Sequence, residues 1–280
     1  NFGHVLLISF LPYIIFLIFK KITNTNIAYL MFFLFVFFPI FESMGFGQFN
    51  YIRQAIRSHA ESLSILFICI SIYLILFESE KKAAYFSLAL ISLLLSQAVF
   101  LRPNFLPICI ILSIFIILKN IKNKEIITKN LFYISLFSTI FFALIHNYYF
   151  GNNLTLFSNS SVHILFTKDF ASLNFTQANN FLELLLIQLR DWNDLVYFPR
   201  LLILIYIIYN INIFRKNDIF FYLILCCISQ HIVLLLTHAS SRYAYLAWLL
   251  TFIIFIKILY EKKFFDKIST FYKKLFISKN

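Results

Sequence analysis

The stretch RQAIRSHAESLSILFICISIYLILFESEKK, residues 53–82, decides how the rest of the chain is read. Its middle, from Ser62 to Phe77, carries no charge and is interrupted only by three serines and a tyrosine. Such a run, closed at each end by charged residues, reads as a transmembrane helix. The two flanks differ in kind. Arg53 and Arg57 precede the run, whereas Lys81 and Lys82 follow it.

The same pattern recurs along all 280 residues, which are 61% hydrophobic and only 13% charged, too little polar surface for a soluble domain of this size. Nine spans are expected, at roughly 4–19, 27–41, 62–77, 83–101, 103–118, 131–150, 197–214, 219–239 and 243–260. The expected fold is therefore all-α, a polytopic transmembrane helical bundle forming a single domain over residues 1–280, with outward loops and interfacial helices. No internal repeat of the kind that marks many transporters is present.

The connections alternate in lysine content. Lys20–Lys21, Lys81–Lys82, the segment from Lys119 to Lys129, Arg215–Lys216 and the tail from Lys257 to Lys279 form one set. The positive-inside rule places that set in the cytoplasm, together with the C-terminus. The net charge of +12 is thus largely topogenic and argues for no nucleic-acid partner; the lipid bilayer is the expected surrounding. The fragment then starts outside and ends inside, so one further span is expected upstream of Asn1.

Six of the seven arginines, and only Lys168 of the seventeen lysines, fall on the other set of connections. Topology does not require arginine there, and phosphate recognition is the leading explanation. A planar guanidinium matches phosphate oxygens in a bidentate fork. Arg53, Arg57 and Glu61 are four apart and would stack along one face of a helix. Either they make an interfacial helix with an i,i+4 ion pair, or Arg57 grips a phosphate that Glu61 orients. Arg102 precedes Pro103, which suits the first turn of a helix, so Arg102 lies at a span mouth beside a helix N-terminus. Arg242 tips the tight turn of His238–Tyr243. For both arginines the plainer reading is a snorkelling anchor.

The remaining polar residues are less specific. His146, Asn147, Tyr148 and Tyr149 end the sixth span, where aromatics form an interfacial belt. Asn153, Asn159 and Asn174 stand in Asn-x-Ser/Thr triplets that a chain this rich in asparagine produces by chance. Trp192 between Asp191 and Asp194 reads mainly as an anchor, with a polar edge of the substrate cleft as the alternative; the carboxylate pair could bind a divalent ion beside a phosphate, and no other cofactor is indicated. His231 and His238 share a helix face and read as a polar helix–helix contact. Cys69, Cys109, Cys226 and Cys227 all lie within spans, as buried free thiols.

Taken in order, Arg57-Ser-His-Ala-Glu61, Leu101-Arg102-Pro103, His146-Asn-Tyr-Tyr-Phe-Gly151 with Leu156-Phe157-Ser158, and Ser241-Arg242-Tyr243 resemble the GT-C membrane glycosyltransferases. The resemblance is to bacterial relatives of protein O-mannosyltransferases and lipid A aminoarabinose transferases. It implies an inner-membrane enzyme with its active face outward. Such an enzyme moves a sugar from a polyprenyl-phosphate donor to a lipid or protein acceptor. Arg57, Arg102 and Arg242 would bind the donor phosphate, supported by Glu61, His146, Asn147 and Tyr243. The family's catalytic acidic residue lies in the first outward loop, which the resemblance places upstream of Asn1.

Two other functions fit the pattern. An O-antigen or exopolysaccharide polymerase shares the outward arginines and the lipid-diphosphate chemistry, and Ile52-Arg53-Gln54-Ala55 is similar to one such family. A transporter of lipid-linked sugars would want polar groups near the middle of the spans, where this sequence has few.

Overall fold

An apolar segment has no side chains able to satisfy its own backbone, so its N–H and C=O groups must pair within the segment. The helix does this, and the described residues take that solution. The computed structural model describes residues 2–38, 47–57, 60–78, 85–122, 140–141, 144–145, 147–149, 152, 198–215, 218–236 and 241–268. Among these, 92% are helical and none is in a strand, so the all-α expectation holds.

The elements are α1 (Phe2–Ile22), α2 (Thr25–Phe37), α3 (Gln48–Ile56), α4 (Ala60–Glu78) and α5 (Tyr85–Leu101). A 3-10 turn (Pro103–Phe105) leads into α6 (Leu106–Lys122). After α7 (Phe198–Tyr209) and a second 3-10 turn (Ile211–Ile213) come α8 (Ile219–Leu236) and α9 (Ser241–Glu261). The expected spans on described residues fall on helical segments, although α2 stops at Phe37 and the span at 197–214 is interrupted after Tyr209. The span at 131–150 lies mostly outside the described residues.

Helix ends follow local chemistry. Asn24 caps α2 by accepting from the Ile27 amide at 2.9 Å, while Thr23 bonds back to the Phe19 carbonyl at 2.7 Å. Together they fold the Lys20–Asn24 corner into a tight turn. Pro103 forces Arg102 out of the helical region (φ −150°, ψ 98°), ending α5 and restarting the chain as a 3-10 turn.

Length separates the helices. Among the described residues, Ala60–Phe77 and Ala244–Glu261 are long and apolar enough to cross a membrane; Thr25–Phe37, Phe86–Leu101, Pro103–Lys119 and Ile219–Val233 are apolar but shorter. Among the described residues, then, two helices are candidate crossings by length and composition, and the nine expected spans are not established. Breaks such as those at Pro103 and Asn210 shorten the regular helices.

The core is centred on α9, whose residues Ala244–Ile254 are all buried, as expected of a helix apolar on every side. Around it, α1 packs on α2 and α4, α4 on α5, α8 on α6 and α9, and α7 on α9. The four cysteines are free and buried, as expected. Serines inside the helices return their hydroxyls to the preceding turn, as Ser71 does to the Phe67 carbonyl at 2.8 Å.

The helix ends sort into two groups. At one end Lys257 Nζ donates to the Ile22 carbonyl (3.1 Å) and lies 5.0 Å from the Phe220 ring, while Lys21 sits 5.6 Å over Phe77. Lys262 lies 5.1 Å over Tyr206. The last turns of α1, α4, α7 and α9 thus meet the first turn of α8. At the opposite end, α3 joins the first turns of α4 and α9 and the last turn of α5, through the contacts described next. These are the two groups of ends that the lysine alternation separates.

Candidate functional site at the arginine end

Glu61 lies in the first turn of α4, where the helix dipole favours a carboxylate, and its side chain has no exposed surface. Its partner comes from 41 residues away. Arg102 Nη2 donates to Glu61 Oε2 at 2.8 Å, with the arginine side chain 29% exposed. This corrects the expectation that Arg53, Arg57 and Glu61 stack along one helix. Helix α3 ends at Ile56 and α4 begins at Ala60, so the i,i+4 spacing is broken between Arg57 and Glu61.

Two tyrosines tie α3 down. Tyr51 Oη donates to the Ser62 carbonyl at 2.9 Å, next to Glu61, and Tyr245 Oη donates to the Gly47 carbonyl at 3.4 Å. Their rings lie 5.8 Å apart. Burial, with Cys69 second, raises the Tyr51 phenol well above its ordinary range, so it remains a donor. The effect is to hold α3 across the mouths of α4 and α9.

Helix α3 is turned opposite to the usual arrangement. It buries Gln48, Asn50, Tyr51, Gln54 and Ala55, and exposes Phe49, Arg53, Ile56 and Arg57. Among the described residues, the amides and the arginine on the segments meeting at the Glu61–Arg102 pair leave four buried atoms with no hydrogen-bond partner: Gln48 Oε1, Gln54 Oε1, Asn104 Oδ1 and Arg102 Nε; the second carboxylate oxygen, Glu61 Oε1, is likewise buried with no hydrogen bond. Three are amide acceptors that a hydroxyl or N–H would satisfy, and the fourth is a guanidinium donor that an oxygen would satisfy. Buried polar groups ordinarily find partners, and native exceptions cluster where function needs them. Glu61 takes Nη2, and Arg102 Nε is buried with no hydrogen-bond partner among the described residues.

The structure joins Glu61 and Arg102 and sets Arg57 apart. Arg57 is exposed on the far side of α3 and bonds to neither of them. The backbone of Arg242 and Tyr243 forms the first turn of α9 at this same end, and their side chains lie outside the described residues. Asn147 sits in a helical stretch at 147–149. His146 and the segment 153–197, with Asp191, Trp192, Asp194, Asn153, Asn159 and Asn174, lie outside the described residues, as does His238. Among the described residues no group of His, Cys, Asp and Glu has metal-binding geometry.

A second polar cluster lies deep between α8 and α9. Thr251 Oγ1 donates its single proton to the Ala247 carbonyl at 2.7 Å. It must therefore accept from His231 Nε2 at 2.9 Å and from Cys227 Sγ at 3.1 Å, which places the imidazole proton on Nε2. His231 also packs edge-on to Trp248, with ring centroids 4.4 Å apart. This is the polar helix–helix contact expected of His231. Its neighbour Gln230 is fully buried, and neither amide atom has a hydrogen-bond partner among the described residues.

Gln48, Gln54, Asn104, Tyr51 and Tyr245 were not singled out from the sequence. Their signal is weak: an amphipathic pattern in α3 gives two faces but does not say which is inside. No family model, curated protein or solved structure matches the chain.

Proposed function

We propose that this chain is a polytopic membrane protein that binds a polyprenyl-phosphate-linked sugar at the Glu61–Arg102 end and transfers the sugar on the outward face. The observation carrying the reading is the Arg102 guanidinium, oriented by a buried carboxylate through one nitrogen with its Nε edge unpartnered. A departing phosphate is anionic, and a preoriented guanidinium stabilises that developing charge. The buried carbonyls of Gln48, Gln54 and Asn104, which have no hydrogen-bond partner among the described residues, are of the chemistry that accepts from the hydroxyls of a sugar. Arg242, at the same end, is the second candidate phosphate ligand.

The multi-pass reading draws support from the exterior. Leu106, Ile110, Ile114 and Leu118 form an exposed apolar stripe along α6, and Leu202, Ile205, Ile208 and Tyr209 another along α7. Stripes of that length face lipid more readily than water. The sorting of lysine-bearing and arginine-bearing helix ends to opposite ends of the bundle points the same way.

The test is binding of radiolabelled polyprenyl phosphate, and transfer from its glycosylated form, by the protein in nanodiscs. Arg102→Lys keeps the charge and loses the fork, and we expect it to weaken binding at least about tenfold. Binding and transfer at wild-type strength in Arg102→Lys would overturn the assignment. A second reading, transport of the lipid-linked sugar, is favoured by the polar cluster of Gln230, His231 and Thr251 within the bundle. Flipping of the lipid that depends on His231 and proceeds without transfer would select it.

A further inference from the structure

We infer that the exposed face of α3 is a docking surface for the anionic phospholipid headgroups of the bilayer, separate from the Glu61–Arg102 site. The inference rests on the reading that the chain is embedded in a membrane. Phe49, Arg53, Ile56 and Arg57 follow one another at i, i+4, i+7 and i+8, one continuous stripe of a helix. Phe49 is 63% exposed and Ile56 70%, while the amides and tyrosine of α3 are turned inside. A helix facing water would show the reverse. A surface alternating large apolar groups with guanidinium groups fits the boundary between acyl chains and phosphates. There the rings and methyls are buried in lipid and the cations meet headgroups.

Placement agrees with that boundary. The Tyr51–Ser62 and Tyr245–Gly47 hydrogen bonds hold α3 at the first turns of α4 and α9, where the two membrane-length helices begin. At nine residues, about 13 Å, α3 is too short to span and packs against α1, α2, α4 and α9 at their ends. Arg53 is braced by one bond from Nη2 to Asn50 Oδ1 (3.0 Å), which leaves the rest of its fork outward. The side chain of Arg57, the residue after the helix, is exposed and has no partner among the described residues. Two cations on one face and no acidic side chain within α3 complement an anionic lipid surface and not a zwitterionic one.

The test uses the full chain in vesicles, with nitroxide labels at Phe49→Cys, Ile56→Cys and, as a control, Ile110→Cys on the α6 stripe. The native cysteines are buried, which favours labelling at the introduced sites. Positions 49 and 56 should collide with oxygen more than with a water-soluble nickel chelate, at shallower depth than 110. Spin-labelled phosphatidylglycerol should be retained over phosphatidylcholine, with the preference falling about fivefold for each arginine removed in Arg53→Gln and Arg57→Gln. Competition by inorganic phosphate, which would mean a soluble anion site, overturns the proposal, as does greater access of the nickel chelate at 49 and 56. If 110 is also exposed to water, the membrane reading itself fails; if 110 faces lipid and 49 and 56 do not, only this inference fails. Loss of polyprenyl-phosphate binding in Arg102→Lys is independent of either result.

Discussion

Replacing Arg102 by methionine should destabilise the protein more than replacing Glu61 by glutamine, although both remove the same ion pair. The asymmetry follows from exposure. Glu61 has no exposed surface, whereas Arg102 retains 29%. Without the guanidinium, a carboxylate is left facing a low-dielectric interior, a loss of about 3 kcal/mol. With Glu61→Gln the amide oxygen still accepts from Nη2, and the arginine can hydrate through its exposed portion. That change trades a charge-assisted bond for a neutral one and costs about 1 kcal/mol. The double variant should recover part of the Arg102→Met loss, because no buried charge then remains. Unfolding in nanodiscs, followed by the fluorescence of buried Trp248, would read the difference as roughly 4–8 °C in Tm between the single variants. Equal losses in the two variants, or a double variant as unstable as the sum of its parts, would refute the picture of a buried carboxylate that depends on Arg102.

Further predictions follow from named contacts. Gln230→Leu removes a fully buried amide with two unpartnered atoms, and should raise stability by about 1–2 kcal/mol unless the site holds a ligand; calorimetry of the reconstituted protein decides it. Thr251→Val strips His231 and Cys227 of their shared acceptor and should cost about 1–3 kcal/mol, with the Trp248 emission shifting as its imidazole neighbour moves. Tyr51→Phe should cost about 1 kcal/mol near neutrality through the lost bond to Ser62. The folded phenol is raised above its unfolded value near 10.0, so its contribution is complete below that pH and is lost as pH rises beyond it. Wild type should therefore lose about 1.4 kcal/mol per pH unit above 10 relative to Tyr51→Phe, in paired alkaline melts. A parallel pH dependence in the two proteins would contradict the buried phenol.

The sequence was a good guide to where helices lie, and a poorer one to what their side chains touch. The breaks at residues 20–26 and at Arg102–Pro103, and the turn before 243, were legible because charged turns and proline act within a few residues, whereas the capping role of Asn24 came from the structure. Arg102 and Glu61 were both legible as individual candidates, since each is a charge at the end of an apolar run. Their pairing was not, because the competing partner Arg57 stands four residues from Glu61 and Arg102 stands 41 away. Local spacing favoured the wrong arginine. The break at residues 57–60 and the packing of α4 on α5 decided the matter.

Composition and periodicity by themselves determined that this chain is helical and apolar, with lysines and arginines gathered at opposite ends of its helices. Those properties depend on backbone hydrogen bonding and on the cost of moving charge into an apolar medium, and both act locally. Only the tertiary structure decided which face of α3 is inside. Tyr51 and Tyr245 reach their carbonyl partners only when the glutamines turn inward and the arginines outward. Such bonds join residues 11 and 198 positions apart, and no short window of sequence contains them.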